Sequence, residues 1–360
     1  MIPTRARRRA AGLALLPAFV AVILAGCGAA ATPVPAPVGP SPTAVIAPVA
    51  TGTPVPATPV ASPSPSPIAA TYPLTLTDDE GTAVTIAARP TKIVSLTPAT
   101  TEILFAVGAG SRVHGVTDAD DYPPAAKQIT AVVKLGAVDV EKIVGLGADL
   151  VIAGGNGFNS PDAIAKLRSL GIPVVVVYAA NVAGVFKDIE LVAAAAGEGY
   201  AGQALAASLQ AQEDAVVAAV VAAGAPRPRL FYETGYDQLT GAIYGVADAS
   251  AYADAITLAG GSPMTTGSTT KWNIPLERLI AADPQVIIVG DGLSGTTIDQ
   301  VKARRGWEVI TAVKTGSIRV IDDTVVTRAG PRIADGLRAL AVAINPALRL
   351  PPAPAASTAP

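Results

Sequence analysis

The sequence predicts an α/β protein with two similar lobes, each built on a mainly parallel sheet and joined by one long α-helix. One segment occurs twice, at 140–154 and at 276–290. Strand-like and helix-like segments alternate around both copies, which favours parallel sheets with right-handed crossovers. Between the copies, the run from Tyr200 to Val221 is rich in alanine, the residue with the highest helix propensity.

The repeated segment predicts a short helix, a turn and a buried strand in both copies. Aligned without a gap, Glu141 faces Glu277, the apolar runs 150–152 and 286–288 coincide, and a glycine closes each copy. A carboxylate in the first turn suits the positive end of the helix dipole. A short apolar run closed by glycine is typical of a parallel strand covered on both faces. A chance likeness between two helix–turn–strand units is the alternative.

Residues 1–26 have the pattern of a lipoprotein signal peptide. Four arginines precede an apolar run that Pro17 interrupts and that is too short for a typical membrane-spanning helix. The run ends in small residues before Cys27, the only cysteine of the chain. We predict that lipid on Cys27 anchors the protein to the outer side of the cell membrane. A chance cysteine after a signal peptide, or a free core thiol, is the alternative, and the export route stays open between general and twin-arginine secretion.

Residues 27–71 predict a disordered tether. They are rich in Pro, Ala, Ser and Thr and carry no charge. At about 3 Å per residue, such a segment can reach on the order of 100 Å. Removal of the four signal-peptide arginines leaves 22 basic and 28 acidic residues, a net charge of −6. Nothing in this balance indicates nucleic acid, and one cysteine excludes an internal disulfide.

The folded body divides into segments of different pattern. We predict an N-terminal α/β lobe at 72–180, a linker helix region at 181–224, a C-terminal α/β lobe at 225–348 and a disordered tail at 349–360. Glycines near residue 198 interrupt the linker, so its long helix begins near Tyr200 and extends roughly 33 Å. A single rigid helix between the lobes leaves little room for hinge motion.

Four motifs carry a resemblance to known proteins. They are KIVSLTPATTEIL at 92–104, GVTD at 115–118, DYPP at 121–124 and RAGPRI at 328–333. Together they resemble the periplasmic-binding-protein family that serves cobalamin and iron–siderophore importers, over about residues 91–348. The resemblance implies two Rossmann-like lobes with mainly parallel sheets, one long connecting helix and a ligand cleft between the lobes.

The resemblance also implies a function. It predicts an extracytoplasmic solute-binding lipoprotein that delivers a metal chelate to an ABC permease dimer with a cytoplasmic ATPase. A corrinoid such as cobalamin is expected first and a ferric siderophore second. A haem-binding protein of the same fold, or a transporter-independent sensor or enzyme on this frame, is the alternative. We expect no enzyme activity and no cofactor apart from the ligand.

The two repeated glutamates have a role in this resemblance. In similar proteins, one glutamate on each lobe forms ion pairs with arginines of the two transporter subunits. Glu141 and Glu277 stand at the matching positions, and such pairs mainly set orientation. The alternative is that both are simply acids at helix N-termini.

The resemblance assigns five residues to the ligand site. Trp272, in a polar loop, is similar to the tryptophan that lines the cleft of cobalamin binders. Arg328 precedes the last helix, where similar proteins place polar contacts to the ligand. Asp118 and Tyr122 lie at the mouth of the first lobe, although Tyr122 could simply pack its proline turn. Tyr236 could offer a further aromatic face.

The chain departs from the corrinoid-binding pattern at two positions. Ala119 and Leu135 stand where related corrinoid binders carry aromatic residues. Tyr232, Tyr236 and Tyr244 could compensate with aromatic faces or supply an axial tyrosinate to haem iron. His114 is the only histidine and lies in a predicted strand, so no zinc or manganese site is expected. The sequence also lacks the glycine-rich phosphate loop and the nucleophile motifs of hydrolases.

Overall fold

A computed structural model of the chain describes residues 70–155, 157–290, 292 and 295–353. The predicted signal peptide, Cys27 and all but the last two residues of the tether lie outside the described residues. The described part forms two α/β lobes, in agreement with the predicted fold class.

The N-terminal lobe is a six-stranded sheet with a hairpin packed against it. The hairpin pairs β1 (Leu74–Thr77) with β2 (Ala83–Ile86). The sheet contains β3 (Ile93–Ser95), β4 (Val113–Thr117), β5 (Thr130–Lys134), β6 (Ala137–Val138), β7 (Leu150–Gly154) and β8 (Val174–Val177). Its order is β6-β5-β4-β3-β7-β8, and only β6 is antiparallel to its neighbour. The α-helices of this lobe are α1 (Pro98–Ala106), α2 (Val140–Gly145) and α3 (Pro161–Ser169).

Two helices lead out of the N-terminal lobe. The first is α4 (Val182–Ala195), and the long connecting helix is α5 (Gly199–Ala223). Gly197 has a φ of +77°, a conformation that glycine adopts without strain, and it lets α5 fold back along α4. The two helices pack closely at Gly202, where an added Cβ would lie 2.3 Å from the Cβ of Ala193. The interrupted linker predicted from the sequence is therefore present.

The C-terminal lobe contains two sheets. Its strands are β9 (Arg229–Glu233), β10 (Gly235–Tyr236), β11 (Ile243–Tyr244), β12 (Ser262–Pro263), β13 (Asn273–Ile274), β14 (Val286–Val289) and β15 (Ile318–Val320). A parallel sheet has the order β12-β9-β14-β15, and a small antiparallel sheet has the order β10-β11-β13. The helices are α6 (Ala251–Leu258), α7 (Leu276–Ala282), α8 (Ile298–Lys302), α9 (Thr311–Thr315), α10 (Thr324–Thr327) and α11 (Ile333–Ile344).

Both copies of the sequence repeat form the expected units, α2–β7 and α7–β14. Ile143 and Leu279 are fully buried, each in the core of its own lobe. Val144, the apolar residue that follows Ile143, is instead exposed. Successive residues of a helix point about 100° apart, so a six-residue helix on the surface buries only one of such a pair.

The lobes share part of their apolar core. Val94 and Val151 cover one face of the N-terminal sheet, while Ile93 and Ile152 cover the other. The cluster that contains Ile93 continues through α4, α5 and α11 into the C-terminal lobe. The lobes are therefore held by common apolar packing as well as by α5, which is consistent with the predicted small range of hinge motion.

Asp188 of α4 is a buried carboxyl group beside Asp79, which lies in the β1–β2 turn. Burial raises the pKa of Asp188 to about 9, and the charge and hydrogen bond of Asp79 add to the shift. Asp188 is therefore protonated in the folded protein at neutral pH, whereas its ordinary value of 3.8 makes it ionised in the unfolded chain. The Asp188 carboxyl group therefore contributes fully to stability at pH values below its pKa in the unfolded chain. This contribution is lost as the pH rises towards the pKa of Asp188 in the folded protein.

We expect Asp188→Asn to stabilise the protein increasingly as pH rises, because asparagine keeps a donor towards Asp79 without titrating. The gain in unfolding free energy should grow by up to about 1.4 kcal/mol per pH unit across the neutral range. Urea denaturation at several pH values measures this gain. Asp162→Asn, at an exposed position of α3, is the control. A gain that is independent of pH would contradict the prediction.

Candidate functional site

The candidate site lies at the carboxyl ends of the parallel strands. Asp118 and Tyr122 follow β4, Leu135 follows β5, and Arg328 follows β15 and α10. In open α/β sheets, ligands bind outside this edge of the sheet. Two lobes that turn this edge towards each other form a cleft.

Four charged residues from the two lobes meet there and are called the interlobe ion cluster. They are Glu102 of α1, Asp121 of the loop after β4, and Arg328 and Arg332 before α11. Arg332 donates from Nε to Oε2 of Glu102 at 2.8 Å and from Nη2 to Oε1 at 2.6 Å. Arg328 donates from Nη1 to Oε1 of Glu102 at 3.1 Å and also to Asp121.

Local structure fixes the positions of both halves of this cluster. On the N-terminal side, the Thr97 side chain caps α1, and Pro98 occupies its first turn. On the other side, Gly330 packs against the start of α1, where an added Cβ would lie 3.3 Å from the carbonyl oxygen of Ala99. The glycine of the RAGPRI motif therefore permits the close approach of the lobes that brings Arg328 and Arg332 to Glu102.

Asp121 and Tyr122 bring the loop after β4 onto the two arginines. The hydrogen bond from Arg328 lowers the pKa of Asp121 below its ordinary value, and the charges of Arg328, Lys127 and Arg332 act in the same direction. The guanidinium carbon of Arg332 lies 4.4 Å from the centre of the Tyr122 ring, within the range of a cation–π contact. Tyr122 therefore does more than pack its proline turn.

Arg328 is engaged within the protein rather than extended into open space. Besides its carboxylate partners, its Nη2 donates to the carbonyl oxygen of Ala119 at 3.3 Å. The sequence-based expectation placed Arg328 among the polar contacts to the ligand. In this structure, the Arg328 side chain instead links the two lobes, because it lies opposite the carboxylate of Glu102. The sequence did not predict this pairing.

Trp272 lies next to the segment that carries Arg328. It is half-buried, and its ring is tilted against that of Tyr252, with 5.6 Å between the centroids. The Tyr252 hydroxyl donates to the carbonyl oxygen of Thr327 at 2.6 Å. Trp272 is thus connected through one aromatic side chain to the residue that precedes Arg328.

Tyr236 belongs to a different cluster. The guanidinium carbon of Arg304 lies 3.8 Å from the Tyr236 ring centre, and Trp307 meets the same ring edge-on at 6.4 Å. Arg304 also forms a buried ion pair with Glu233, at the carboxyl end of β9. Tyr236 is half-buried, and its ring covers Arg304.

Asp118 shapes a turn at the mouth of the N-terminal lobe. Its Oδ2 accepts a hydrogen bond from the backbone N–H of Leu135 at 3.0 Å. Leu135 has a φ of +48°, which is rare for a residue with a branched side chain. The carboxylate therefore supports the backbone conformation that points Leu135 into solvent.

Three large apolar side chains are exposed along this edge of the N-terminal sheet. Leu135 is 98% exposed, Phe158 is 66% exposed and Tyr122 is 46% exposed. They follow β5, β7 and β4, three strands within one sheet. Exposed apolar groups that gather at one place are characteristic of a binding surface.

The two remaining tyrosine candidates differ in their access to solvent. Tyr232 is fully buried in β9, so the idea that it supplies a face or an axial ligand is wrong. A central strand covered on both sides places its aromatic residues in the core. Tyr244 of β11 is exposed. His114 lies in β4, in agreement with the predicted strand, and its side chain is exposed.

Glu141 and Glu277 occupy equivalent places in the two lobes. Each lies in the first turn of its helix, α2 or α7, and each is exposed. The basic residue that follows each glutamate forms a hydrogen bond within its own lobe. Lys142 donates to the carbonyl oxygen of Ala131 at 2.8 Å, and Arg278 donates to that of Thr265 at 3.2 Å. Within the described residues, neither glutamate takes part in an ion pair.

Glu102 was not among the site residues predicted from the sequence, and Asp121 and Arg332 were named only as parts of motifs. One signal was available, because Glu102 is the only charged residue of α1. A lone carboxylate in an otherwise uncharged helix needs a partner if it is buried. Nothing local in the sequence identifies that partner.

Metal binding and membrane crossing can also be judged from the described ranges. No group of three or more His, Cys, Asp or Glu residues there could hold a metal ion. One helix, α5, is long and apolar enough by length and composition to cross a membrane. A connecting helix passes the same test, and α5 packs along α4 and α11.

Comparisons with known proteins agree with the resemblance seen in the motifs. A family model described as periplasmic binding protein matches residues 93–325. The chain is 34% identical over 290 residues to an uncharacterized ABC transporter substrate-binding lipoprotein of Bacillus subtilis, covering 76% of this chain and 86% of that protein. It is 28% identical over 286 residues to a cobalamin-binding protein of Halobacterium salinarum, covering 77% and 75% of the two chains.

A solved structure has the same fold. The periplasmic heme-binding protein of a Roseiflexus species superposes with a TM-score of 0.62 at 26% sequence identity. The match covers 70% of this chain and 97% of that one. The two-lobed architecture predicted from the repeat is therefore confirmed.

Proposed function

We propose that this chain, which belongs to the periplasmic binding protein family, binds a metal chelate between its lobes and delivers it to an ABC importer. A corrinoid is the first candidate, because the cobalamin-binding relative matches over most of its length. A ferric siderophore is the second. Haem is the competing ligand, since a heme-binding protein shares the fold.

One observation carries this proposal: exposed apolar side chains gather at one edge of the N-terminal sheet. Tyr122, Leu135 and Phe158 offer three apolar surfaces on loops that follow neighbouring parts of the sheet. Trp272 supplies an indole from the other lobe. A large ligand with extended apolar faces and polar edges fits this combination of apolar side chains and the charged residues of the interlobe ion cluster.

The test is direct exposure of the purified protein to cyanocobalamin, to haemin and to a ferric hydroxamate siderophore, followed by gel filtration. A bound chelate is recognised by its own absorbance spectrum in the protein fraction. We expect cyanocobalamin to co-elute. Retention of haemin alone would select the competing ligand, and retention of none of the three would refute the proposed function.

Trp272→Ala tests the position of the ligand. Loss of one indole face should weaken binding by about tenfold or more, because it removes on the order of 1–3 kcal/mol of apolar contact. Titration calorimetry measures the affinity. Tyr200→Ala, which removes an exposed aromatic ring from α5, is the control. Equal affinities of all three proteins would remove Trp272 from the site.

The resemblance and the sequence of the amino terminus also support an extracytoplasmic, membrane-anchored protein. In this proposal, lipid on Cys27 retains the body at the membrane, and the tether lets it reach the permease. Glu141 and Glu277 are the proposed contacts to the two permease subunits. The mass of the mature amino-terminal peptide tests the anchor, because unmodified Cys27 in membrane-bound protein would contradict it.

A further inference from the structure

We propose that Asp121 is a specificity-determining residue, a built-in counter-ion that Arg328 exchanges for a carboxylate or phosphate group of the ligand. This inference rests on the proposed function and goes beyond it, because it names a chemical feature by which ligands are selected. It follows from the unequal burial of the interlobe ion cluster and from its charge balance.

Arg332 and Glu102 form the fixed part of the cluster. The guanidinium fork of Arg332 engages both carboxylate oxygens of Glu102, at 2.6 and 2.8 Å. The Glu102 side chain is only 1% exposed. Paired, two-point contacts of this kind are short and directional, and breaking one inside a protein leaves an uncompensated charge. We therefore expect this pair to persist when ligand binds.

Arg328 and Asp121 form the replaceable part. The Asp121 side chain is 48% exposed, whereas that of Arg328 is mostly buried. Arg328 reaches Glu102 by one hydrogen bond of 3.1 Å from Nη1, the nitrogen that also faces Asp121. The remaining contact, from Nη2 to the carbonyl oxygen of Ala119, is long at 3.3 Å. Within the interlobe ion cluster, Asp121 is the one carboxylate that is both accessible to solvent and bonded to a largely buried cation.

The charges of the cluster balance as long as Asp121 stays in place. Two guanidinium groups face two carboxylates. A ligand anion that replaces Asp121 keeps this balance, and the gain in Arg328 contacts offsets the loss of the internal ion pair. A neutral ligand has nothing to exchange, so it must bind with Asp121 still on Arg328. The cluster therefore favours chelates with an anionic group at their edge.

A displaced Asp121 has a second cation nearby. Lys127 is exposed, and its charge already contributes to the low pKa of Asp121. Asp121 and Lys127 both line a shallow cavity of about 470 Å³ beside the loop. The carboxylate can thus leave Arg328 for a solvated position next to another positive charge, which lowers the free energy required for the exchange.

The experiment compares ligands with and without an anionic group at their edge. The full-length protein, Asp121→Asn and Asp162→Asn are titrated with haemin and haemin dimethyl ester, which differ only at the two carboxylates. They are also titrated with cyanocobalamin and with dicyanocobinamide, which lacks the phosphate together with the rest of the nucleotide loop. For whichever pair binds, Asp121→Asn should bind the anionic member about tenfold more tightly than the unchanged protein does. Affinity for the other member should change by about twofold or less.

Two outcomes would overturn the exchange. If Asp121→Asn weakened the binding of both members of a pair, Asp121 would be a structural contact between the lobes and not a competitor of the ligand. If it strengthened both members equally, the effect would be unrelated to the anionic group. Asp162→Asn makes the same charge change on an exposed position of the same lobe and should leave every affinity unaltered.

A second measurement separates this proposal from the proposed function. If none of the chelates bound any variant, the metal-chelate function would fail, but the exchange could still be tested with inorganic phosphate. The melting temperature of Asp121→Asn should rise with phosphate concentration relative to chloride at equal ionic strength. The unchanged protein and Asp162→Asn should not show this rise. Its absence in Asp121→Asn would refute the exchange.

Discussion

Replacing Glu102 by glutamine is expected to destabilise the protein by about 3 kcal/mol or more and to loosen the contact between its lobes. Glu102 is buried and accepts hydrogen bonds from both Arg328 and Arg332. A glutamine at this position keeps one acceptor but adds an amide donor that faces two guanidinium groups. The arginines would then share only Asp121, and one positive charge would lack a partner.

Urea denaturation measures the loss of stability, and small-angle scattering measures the separation of the lobes. Glu80→Gln is the matched control, because the exposed Glu80 side chain lies 3.8 Å from Arg168, a long contact that should contribute well under about 1 kcal/mol. The double change Glu102→Gln with Arg332→Gln should recover part of the loss, since it removes both charges of the fixed pair. A midpoint unchanged from that of the Glu80 variant would show that the cluster is not a source of stability.

The elements that the sequence predicts well are those with local signals. The repeat gave helix, turn and strand at 140–154 and 276–290 because each unit has its own apolar periodicity and its own boundary residues. The connecting helix was also predictable, since alanine favours helix and glycine interrupts it near residue 198. These signals act within about a dozen residues of the chain.

The small antiparallel sheet of the C-terminal lobe could not be predicted in the same way. Its strands, β10, β11 and β13, contain two residues each. Two residues cannot show an alternation of apolar and polar positions. The sheet exists because distant segments pair, and that pairing is decided by tertiary packing rather than by local propensity.

The interlobe ion cluster was missed for a related reason. Glu102 and Arg332 are separated by 230 residues in the chain. The motifs that contain them were visible, yet the sequence offers no distance between one motif and the other. Only the folding of both lobes against a common core brings α1 and the start of α11 together. Burial then makes the pairing of these charges necessary.

For the predicted site residues, too, the sequence indicated a position but not the side-chain contacts. Asp118 and Tyr122 were expected at the mouth of the first lobe, and Arg328 in the loop before the last helix; the structure has the first two after β4 and Arg328 between α10 and α11. What their side chains contact could not be read from the sequence. Asp118 supports the Leu135 turn, Tyr122 meets Arg332, and Arg328 crosses between the lobes.

Reversing the charges of Glu141 and Glu277 together is expected to abolish uptake while leaving ligand affinity in solution unchanged. Both carboxylates are exposed in the first turns of equivalent helices, one in each lobe. The adjacent basic residues, Lys142 and Arg278, are each engaged with a backbone carbonyl of their own lobe. The glutamates are therefore the charges that remain available to a partner.

Each lobe should contact one permease subunit, so the two single changes to alanine should reduce uptake by similar amounts. Each change to arginine should reduce it further, because it sets like charges against each other. The measurement is uptake of labelled ligand by cells that carry each variant in place of the normal protein. The melting temperature of the double variant should stay within a few degrees of the original, since exposed charges contribute little to stability.

The matched control reverses Glu190, an exposed glutamate of α4, and Glu308, an exposed glutamate of the C-terminal lobe; both lie outside the repeated units. This pair makes the same change in net charge but removes no proposed contact, so uptake should persist. Normal uptake by the Glu141 and Glu277 double reversal would exclude docking through these residues. Loss of ligand binding by that variant in solution would instead place the two glutamates in the cleft. Equal loss of uptake in both double variants would mean that the permease responds to overall charge and not to two defined points.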